Sequence, residues 1–388
     1  MRAYKYRIYP NTEQIILLAK TFGCTRFLYN RMLSDKIDYY ERTKQTLNRT
    51  PAFYKQEFEW LKEVDSLALC NVQLHLNTAF RNFFRDKKVG FPKLKSRKRN
   101  KHSYTTNRVG KNIDLTATRI KLPKLGKVKV VKHRDAPSLD KLKSVTVSRT
   151  PAGRYYVAIL YDVNVEVKSV TPDTGIGLDF SMSKLFVDSE GKSIDYPKFY
   201  RRAELKLKKA QRTLSRRSEG SNRYLKQRYK IAVLHEKVKN QRKDFLHKLS
   251  TLTAKKYDMV CVEDLNMKAM SRSLNFGKSV HDNGWGIFLT FLSYKLEDRG
   301  KVLVKIDKWY PSSKTCSVCG KINKNLKLSD REYVCPCGNS MDRDINAAIN
   351  IAGEGLKTYK AAGHAVTAQL CCAQESARLR SPHFKESA

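Results

Sequence analysis

Thr174-Gly-Ile-Gly-Leu-Asp179-Phe180 decides the reading of this chain. It is a short apolar run of strand length that closes on an acid. A second such run, Met259-Val-Cys-Val262, ends at Glu263-Asp264. A third acid, Asp344, opens a helix expected from Asp344 to Ala352. In an open α/β sheet, ligands gather at the carboxyl ends of strands, and the first turn of a helix favours a negative charge. Taken singly, each acid has a plainer reading. A strand-end acid is most often a solvated turn residue, and Asp344 alone could be a helix cap. Taken together, Asp179, Glu263 and Asp344 would offer hard oxygen ligands to divalent cations. Two such ions, Mg²⁺ or Mn²⁺, about 4 Å apart can activate water and stabilise the leaving oxygen of a phosphodiester.

Working outward, Leu185-Phe-Val187 reads as a strand and Asp188-Ser-Glu-Gly191 as a turn. Residues 199–217 and 222–256 read as basic helices, made a hairpin by the break at Ser218-Glu-Gly-Ser221. Leu225, Tyr229, Ala232, Val238, Phe245, Leu249 and Leu252 mark the apolar stripe expected on the second helix. A helix over 285–296 and a strand over 302–306 follow. Then comes Cys316-Ser-Val-Cys319-Gly320, and fifteen residues later Cys335-Pro-Cys337-Gly338. Four thiolates on two tight turns suit a closed, structural Zn²⁺ site, with a Gly after each pair where the backbone turns toward the metal. Cys371-Cys372 are too close together and too distant to complete it, and Cys24, Cys70 and Cys261 read as small buried hydrophobes.

Toward the N-terminus, residues 1–10 alternate as a strand, with Tyr4, Tyr6 and Ile8 on one face and Lys5 and Arg7 on the other. Asn11 followed by Gln14 is a capping-box start. Helical patterning then runs to about residue 86, with breaks expected at Gly23 and near Thr50-Pro51. From Tyr104 to Asp162 the period changes to two, with Thr150-Pro-Ala-Gly153 as a turn. This segment reads as a small β-barrel that includes residues 1–10, with the helical block 11–103 inserted after its first strand.

The charge sets the class of partner. Lys and Arg total 77 against 37 Asp and Glu, a formal net charge of +40. A chain that repels itself this strongly calls for a polyanion such as nucleic acid. Residues 200–248 carry seventeen Lys/Arg against four acids, so the helices there are not ordinary balanced surfaces. Lys93, Lys95, Arg97, Lys98 and Arg99 are candidate phosphate contacts. Lys5 and Arg7 are further candidate contacts, and Tyr4, Tyr6, Tyr9, Phe53, Tyr54, Tyr104, Tyr155 and Tyr156 supply rings that could stack on bases, although core is the commoner role for most of them. A hydrophobic content of 41% with 10% aromatics excludes wholesale disorder. No apolar run is long enough to span a bilayer, and Met1-Arg2-Ala3-Tyr4-Lys5-Tyr6-Arg7 lacks the apolar core of a signal peptide. An intracellular protein is therefore expected, without a disulfide framework.

Several blocks carry a resemblance. Lys5-Tyr-Arg-Ile-Tyr-Pro10 with Glu13-Gln14, Phe22-Gly-Cys-Thr-Arg-Phe-Leu-Tyr-Asn30 and Gly90-Phe-Pro-Lys93 come first. Gly177-Leu-Asp-Phe180, Val262-Glu-Asp-Leu-Asn266, Pro311-Ser-Ser-Lys-Thr-Cys-Ser-Val-Cys-Gly320 and Asp342-Arg-Asp344-Ile-Asn-Ala-Ala-Ile-Asn-Ile351 follow. In this order they resemble the TnpB family, encoded by the second open reading frame of certain bacterial insertion sequences and ancestral to type V CRISPR effectors. The match runs from about residue 3 to 356. The last block with the cysteine pairs is its most specific part, although the C-x-C pair departs from the commonest family pattern.

The resemblance implies an RNA-guided DNA endonuclease with an α+β multidomain fold. A wedge-type β-barrel (1–10 and 104–168) would carry a helical recognition insert (11–103). A RuvC-like nuclease domain of RNase H fold (169–310 and 339–356) would carry a zinc-binding target-strand module (311–338). The tail, 357–388, shows no clear period, as a disordered segment would. The family's catalytic acids fall on Asp179, Glu263 and Asp344. Asp342 is the less favoured third acid, because the family's D-x-N motif matches Asp344-Ile-Asn346. The implied partners are a guide RNA from the transposon end and double-stranded target DNA next to a short transposon-adjacent motif. The implied location is the bacterial cytoplasm, at the nucleoid. The rivals are a non-cleaving accessory protein or regulator, which would not need the acid triad, and a recombinase, for which no Tyr or Ser constellation is evident.

Overall fold

The computed structural model describes residues 1–86, 88–97, 101–163, 166–267, 269–270, 282–327, 329–366 and, for the backbone, 369–370. The chain divides into two compact units, Met1–Val165 and Glu166–Ala388.

In the first unit, strand β1 (Arg2–Tyr9) alternates as its sequence requires, burying Tyr6 and Ile8 and exposing Lys5 and Tyr9. Helix α1 (Thr12–Thr43) opens on the expected capping box. Asn11 Oδ1 accepts from the Gln14 amide at 2.8 Å, and Gln14 Oε1 accepts from the Asn11 amide at 3.0 Å. The helix does not break at Gly23. The cost of a helical glycine, about 1 kcal/mol, is outweighed by burial of Leu18, Phe22, Leu28, Met32 and Leu33 on either side. Helices α2 (Pro51–Glu57) and α3 (Ser66–Arg85) complete a helical core that includes Tyr54, Leu61, Leu69 and Leu76.

The strands β2 (His102–Asn107), β3 (Asp114–Leu115), β4 (Arg119–Leu122), β5 (Gly126–Val131), β6 (Leu142–Arg149) and β7 (Tyr155–Tyr161) form one sheet with β1, in the order β2-β6-β7-β1-β5-β4-β3. β1 lies between β7 and β5, antiparallel to both, so the helices are an insertion within the sheet. The expected barrel does not close by strand pairing. Its edges, β2 and β3, follow one another in the chain but do not pair, and β3 is only two residues long. Asn112 holds the turn between them, accepting from the Val109 amide and donating to the Asn107 carbonyl.

The second unit is built on β8 (Thr174–Phe180), β9 (Phe186–Asp188), β10 (Ser193–Ile194), β11 (Met259–Glu263) and β12 (Val302–Ile306), in the order β10-β9-β8-β11-β12. β11 runs parallel to both β8 and β12. Both faces of β11 are covered, which is why its sequence is apolar without alternation. Val260 and Val262 pack with Leu246 of helix α5 (Asn222–Lys256) and with Trp285, Phe288 and Leu292 of helix α6 (Trp285–Glu297). Met259 and Cys261 pack with Ile351 of helix α7 (Arg343–Ala361).

The basic hairpin forms as expected from α4 (Phe199–Ser215) and α5, with Ser221 Oγ accepting from the Tyr224 amide at 3.1 Å to start α5. Its apolar stripe is a poorer match. Val238 is buried, but Leu225, Tyr229 and Leu252 are exposed. α7 runs nine residues beyond the expected Ala352, through Gly353 and Gly355. Nor is the tail structureless throughout. β15 (Gln369–Leu370) adds a parallel pairing to Thr174 and Gly175 of β8, and residues 371–388 lie outside the described set. Among the described residues, no helix is long and apolar enough to cross a membrane.

Candidate active site

The parallel register aligns Val262 of β11 with Leu178 of β8. One residue further on, Glu263 and Asp179 stand side by side on strands about 4.8 Å apart. Asp344 reaches them through α7, which packs its small residues Ala348 and Ala352 against Gly177 of β8. No side chain larger than hydrogen fits at Gly177, so the helix lies unusually close to the strand. Asp344, one residue into α7, is thereby brought to the tip of β8.

The electrostatics report the convergence. The Asp179 carboxyl is pushed well above its ordinary range, first by desolvation and then by the negative charges of Glu263 and Asp344. Burial also raises Glu263, opposed by a hydrogen bond from the Ser312 hydroxyl. All three acids remain partly accessible at the surface. The capping role falls to Asp342, whose Oδ1 accepts from the amides of Asp344 at 2.8 Å and Ile345 at 3.2 Å. Asp344 is therefore not spent on its own helix. Arg343 lies against it at 3.3 Å, and its charge also lowers the Asp179 carboxyl, opposing the acids. Asp264, next to Glu263, is exposed and paired with Lys305 at 2.9 Å.

Three carboxylates around one opening, with one guanidinium to offset them, are a donor set for hard divalent cations. Among the described residues, the cysteines are the group whose ligand atoms all lie within 4.8 Å of one another.

Cys316, Cys319, Cys335 and Cys337 come together, with Sγ–Sγ distances of 3.6 Å for Cys316–Cys337 and for Cys319–Cys335. The C-x-C pair thus reaches the site as well as the C-x-x-C pair does. Each pair sits on a tight turn closed by a glycine of positive φ, Gly320 at 74° and Gly338 at 90°. Burial opposes ionisation of the Cys316 thiol. Backbone hydrogen bonds from Cys319 and Val318 and the Asn339 side chain outweigh it and hold the thiol down at about 6. Around the thiols there is almost no core beyond Tyr333 and Leu326. β13 (Glu332–Val334) and β14 (Ser340–Asp342) form the small hairpin that leads directly into α7. Of the other cysteines, Cys24 and Cys261 are buried as expected, whereas Cys70 is exposed on α3.

In the first unit, the outward face of β1 carries Lys5 with its Nζ 4.4 Å from the Tyr156 ring centre, and Arg7 4.8 Å from that of Tyr9. Lys93 and Arg97 are exposed. Lys95 is half-buried over the Tyr29 ring at 3.7 Å and lines a cavity of about 410 Å³ with Arg26, His75, Lys101 and Tyr104. Tyr54 is not a surface contact. It is 1% exposed and donates its hydroxyl to Asp35 Oδ2 at 2.9 Å, so it belongs to the helical core. Lys98 and Arg99 lie outside the described residues.

Three polar residues of the site escaped the sequence reading, Ser312, Arg343 and Asn350, whereas Asn346 is singled out there only as part of the Asp344-Ile-Asn346 motif. The one available signal was the four-residue spacing of Asn346 and Asn350, which places both on one helix face.

Comparison with known proteins places the chain in a family. Residues 158–274 match the IS605 OrfB family, described as "probable transposase". Residues 285–351 match the Cas12f1-like TNB domain, and residues 1–45 match a helix-turn-helix domain. That last stretch is here a strand followed by one continuous helix. A Streptomyces pristinaespiralis protein named "Putative RNA-guided DNA endonuclease" is 36% identical over 365 residues, covering 92% of this chain and 89% of its own. InsQ of Escherichia coli K12, with the same description, is 30% identical over 95% of this chain and 94% of its own. The TnpB-like protein L79 of Acanthamoeba polyphaga mimivirus is 30% identical over 56% of this chain and 44% of its own. A Cas12f1 chain, solved in a complex with guide RNA and target DNA, shares the fold. Its TM-score is 0.54 at 18% identity, covering 87% of this chain and 82% of that one. Two relatives at 30% identity or more, each matched over nearly its full length, establish that the chain belongs to the TnpB family.

Proposed function

We propose that this protein is an RNA-guided DNA endonuclease that hydrolyses phosphodiester bonds at Asp179, Glu263 and Asp344. The observation that carries the reading is the position of Asp179 and Glu263 at the ends of the paired parallel strands β8 and β11, with Asp344 at the start of the helix packed on Gly177, and the raised Asp179 carboxyl supports it. The names of the full-length relatives support the same activity. Two Mg²⁺ or Mn²⁺ ions held by these carboxylates would activate the attacking water and stabilise the leaving oxygen. The protein's own part is to hold the acids at fixed positions, with Ser312 orienting Glu263 and Arg343 offsetting the charge at Asp344. Cys316, Cys319, Cys335 and Cys337 would hold one structural Zn²⁺.

In this reading the sheet of 1–10 and 104–168 is the wedge, and 11–103 is the recognition insert. Residues 169–310 and 339–356 are the RuvC-like nuclease, and 311–338 is the target-strand module. Lys5, Arg7, Lys93, Lys95 and Arg97, with the α4–α5 hairpin, hold nucleic acid through its phosphates. Base pairing to a guide RNA from the transposon end carries sequence specificity. The test is cleavage of guide-matched DNA by Asp179→Ala. The variant should retain the RNA and lose cleavage. Cutting at the wild-type rate would overturn the assignment.

A further inference from the structure

We propose that Ser312 is a positioning residue for Glu263, held in place by Asn346 and Asn350. The proposal rests on the reading of Glu263 as a metal ligand. Ser312 is 4% exposed, and its hydroxyl donates to Glu263 Oε1. Its carbonyl in turn accepts from Asn350 Nδ2 at 2.8 Å. The same Asn350 amide reaches the Thr315 carbonyl at 2.7 Å, and Asn346 Nδ2 reaches that carbonyl at 2.7 Å as well. Asn346 Oδ1 accepts from the Ser317 amide at 3.0 Å, inside the first cysteine turn. Asn346 is fully buried and Asn350 is 7% exposed, so solvent does not compete for these bonds.

Residues 312–317 therefore form a strap tied along one face of α7, the helix that also carries Asp344. Glu263, Ser312, Asn350 and Asp344 form a continuous path outside the sheet. β11 fixes the backbone of Glu263, but a glutamate side chain still has three torsions to turn. The hydroxyl of Ser312 removes that freedom for one oxygen, which leaves the other to serve as a ligand. Partners of this kind typically change metal affinity or activity by about 10–100-fold when removed. The strap also begins the first cysteine pair, so an ordered cysteine module helps to fix the acid.

The experiment is a Mn²⁺ titration of the guide-loaded, zinc-containing protein, followed by electron paramagnetic resonance of the free ion. Ser312→Ala should weaken Mn²⁺ binding by about tenfold, and Ser312→Thr, which keeps the hydroxyl, should restore it. Asn350→Ala should shift the titration in the same direction without touching Glu263. Wild-type Mn²⁺ binding by Ser312→Ala overturns the proposal, and so does a loss that Ser312→Thr fails to rescue. Should Ser312→Ala lose its zinc or its cooperative melt, Ser312→Cys replaces it in the same titration. Glu263→Gln separates the two claims. If it too binds Mn²⁺ normally, the acid-site reading has failed; if it alone loses binding, only the role of Ser312 has.

Discussion

Gly177→Ala tests how the site is assembled, because it adds one methyl group where strand β8 meets helix α7. A Cβ at this position would overlap the carbonyl oxygen of Ala348, lie 2.7 Å from the Ala352 amide nitrogen and lie 3.0 Å from the Ala352 Cβ. Two of these three atoms are backbone, so no rotamer change relieves the clash. The helix must move away from the strand or the strand must bend. Overpacking of this kind costs about 1–3 kcal/mol, and a backbone obstacle places Gly177→Ala at the upper end. For a unit of this size, about 3 kcal/mol lowers the melting temperature by about 6–12 °C. The effect on chemistry should be larger than the effect on folding. Gly177 lies two residues before Asp179, and the displaced helix carries Asp344. A misplacement near 1 Å in such a site can cost about 100-fold in rate. Thermal unfolding and cleavage of guide-matched DNA, measured on the same preparation, give both numbers. A variant that melts within about 2 °C of wild type and cuts at the wild-type rate would refute the packing argument.

If the four cysteines hold zinc as proposed, its removal should unfold a local region only, because the module has a core of three buried residues, Cys316, Tyr333 and Cys335, and metal binding on the order of 10 kcal/mol would be what folds it. Limited proteolysis of chelator-treated protein should therefore cut first within 317–340 and leave 1–165 intact; an unchanged pattern would exclude a structural metal. Glu190 should make stability pH-dependent at the acid end. Burial pushes its carboxyl up, but hydrogen bonds from Lys192, Tyr257 and Lys256 outweigh it and hold the group down at about 2. The folded value lies below the unfolded one, so the stabilisation is present above about pH 4.5 and is lost as pH falls toward 2. With both lysines largely exposed, its size is on the order of 1–2 kcal/mol. Denaturant unfolding of Glu190→Gln between pH 6 and pH 3 should show a shallower decline than wild type, and equal slopes would contradict this.

The elements that were legible in the sequence are those set by local rules. The capping box at Asn11 and Gln14, the turn at Thr150–Gly153 and the strands around Tyr155–Tyr161 and Val302–Ile306 all formed where periodicity and turn chemistry placed them. Asp179 and Glu263 stood out because each ends an apolar run, Asp344 because it opens a helix, and the cysteines because their spacing is short. What was hidden depends on long-range packing. Gly23 reads as a breaker, yet burial on both sides carries α1 through it. The helix expected to end at Ala352 continues through Gly355, which lies against Cys261 with no room for a side chain. Tyr54 reads as a stacking residue, and only its contact with Asp35 shows it to be core. Closure of the first sheet fails for a similar reason, since the shortness of β3 is not evident from alternation alone. Ser312 carries no periodic signal of a site, and the four-residue spacing of Asn346 and Asn350 gives a shared helix face without saying that it bonds backbone atoms distant in sequence.

The account stands on a shared metal pocket for three acids, and anomalous diffraction from crystals containing Mn²⁺ measures that directly. Two manganese peaks about 4 Å apart, bounded by Asp179, Glu263 and Asp344 and lost in Asp179→Asn, are the predicted result. Manganese bound elsewhere, with the three carboxylates lacking any peak, would contradict it.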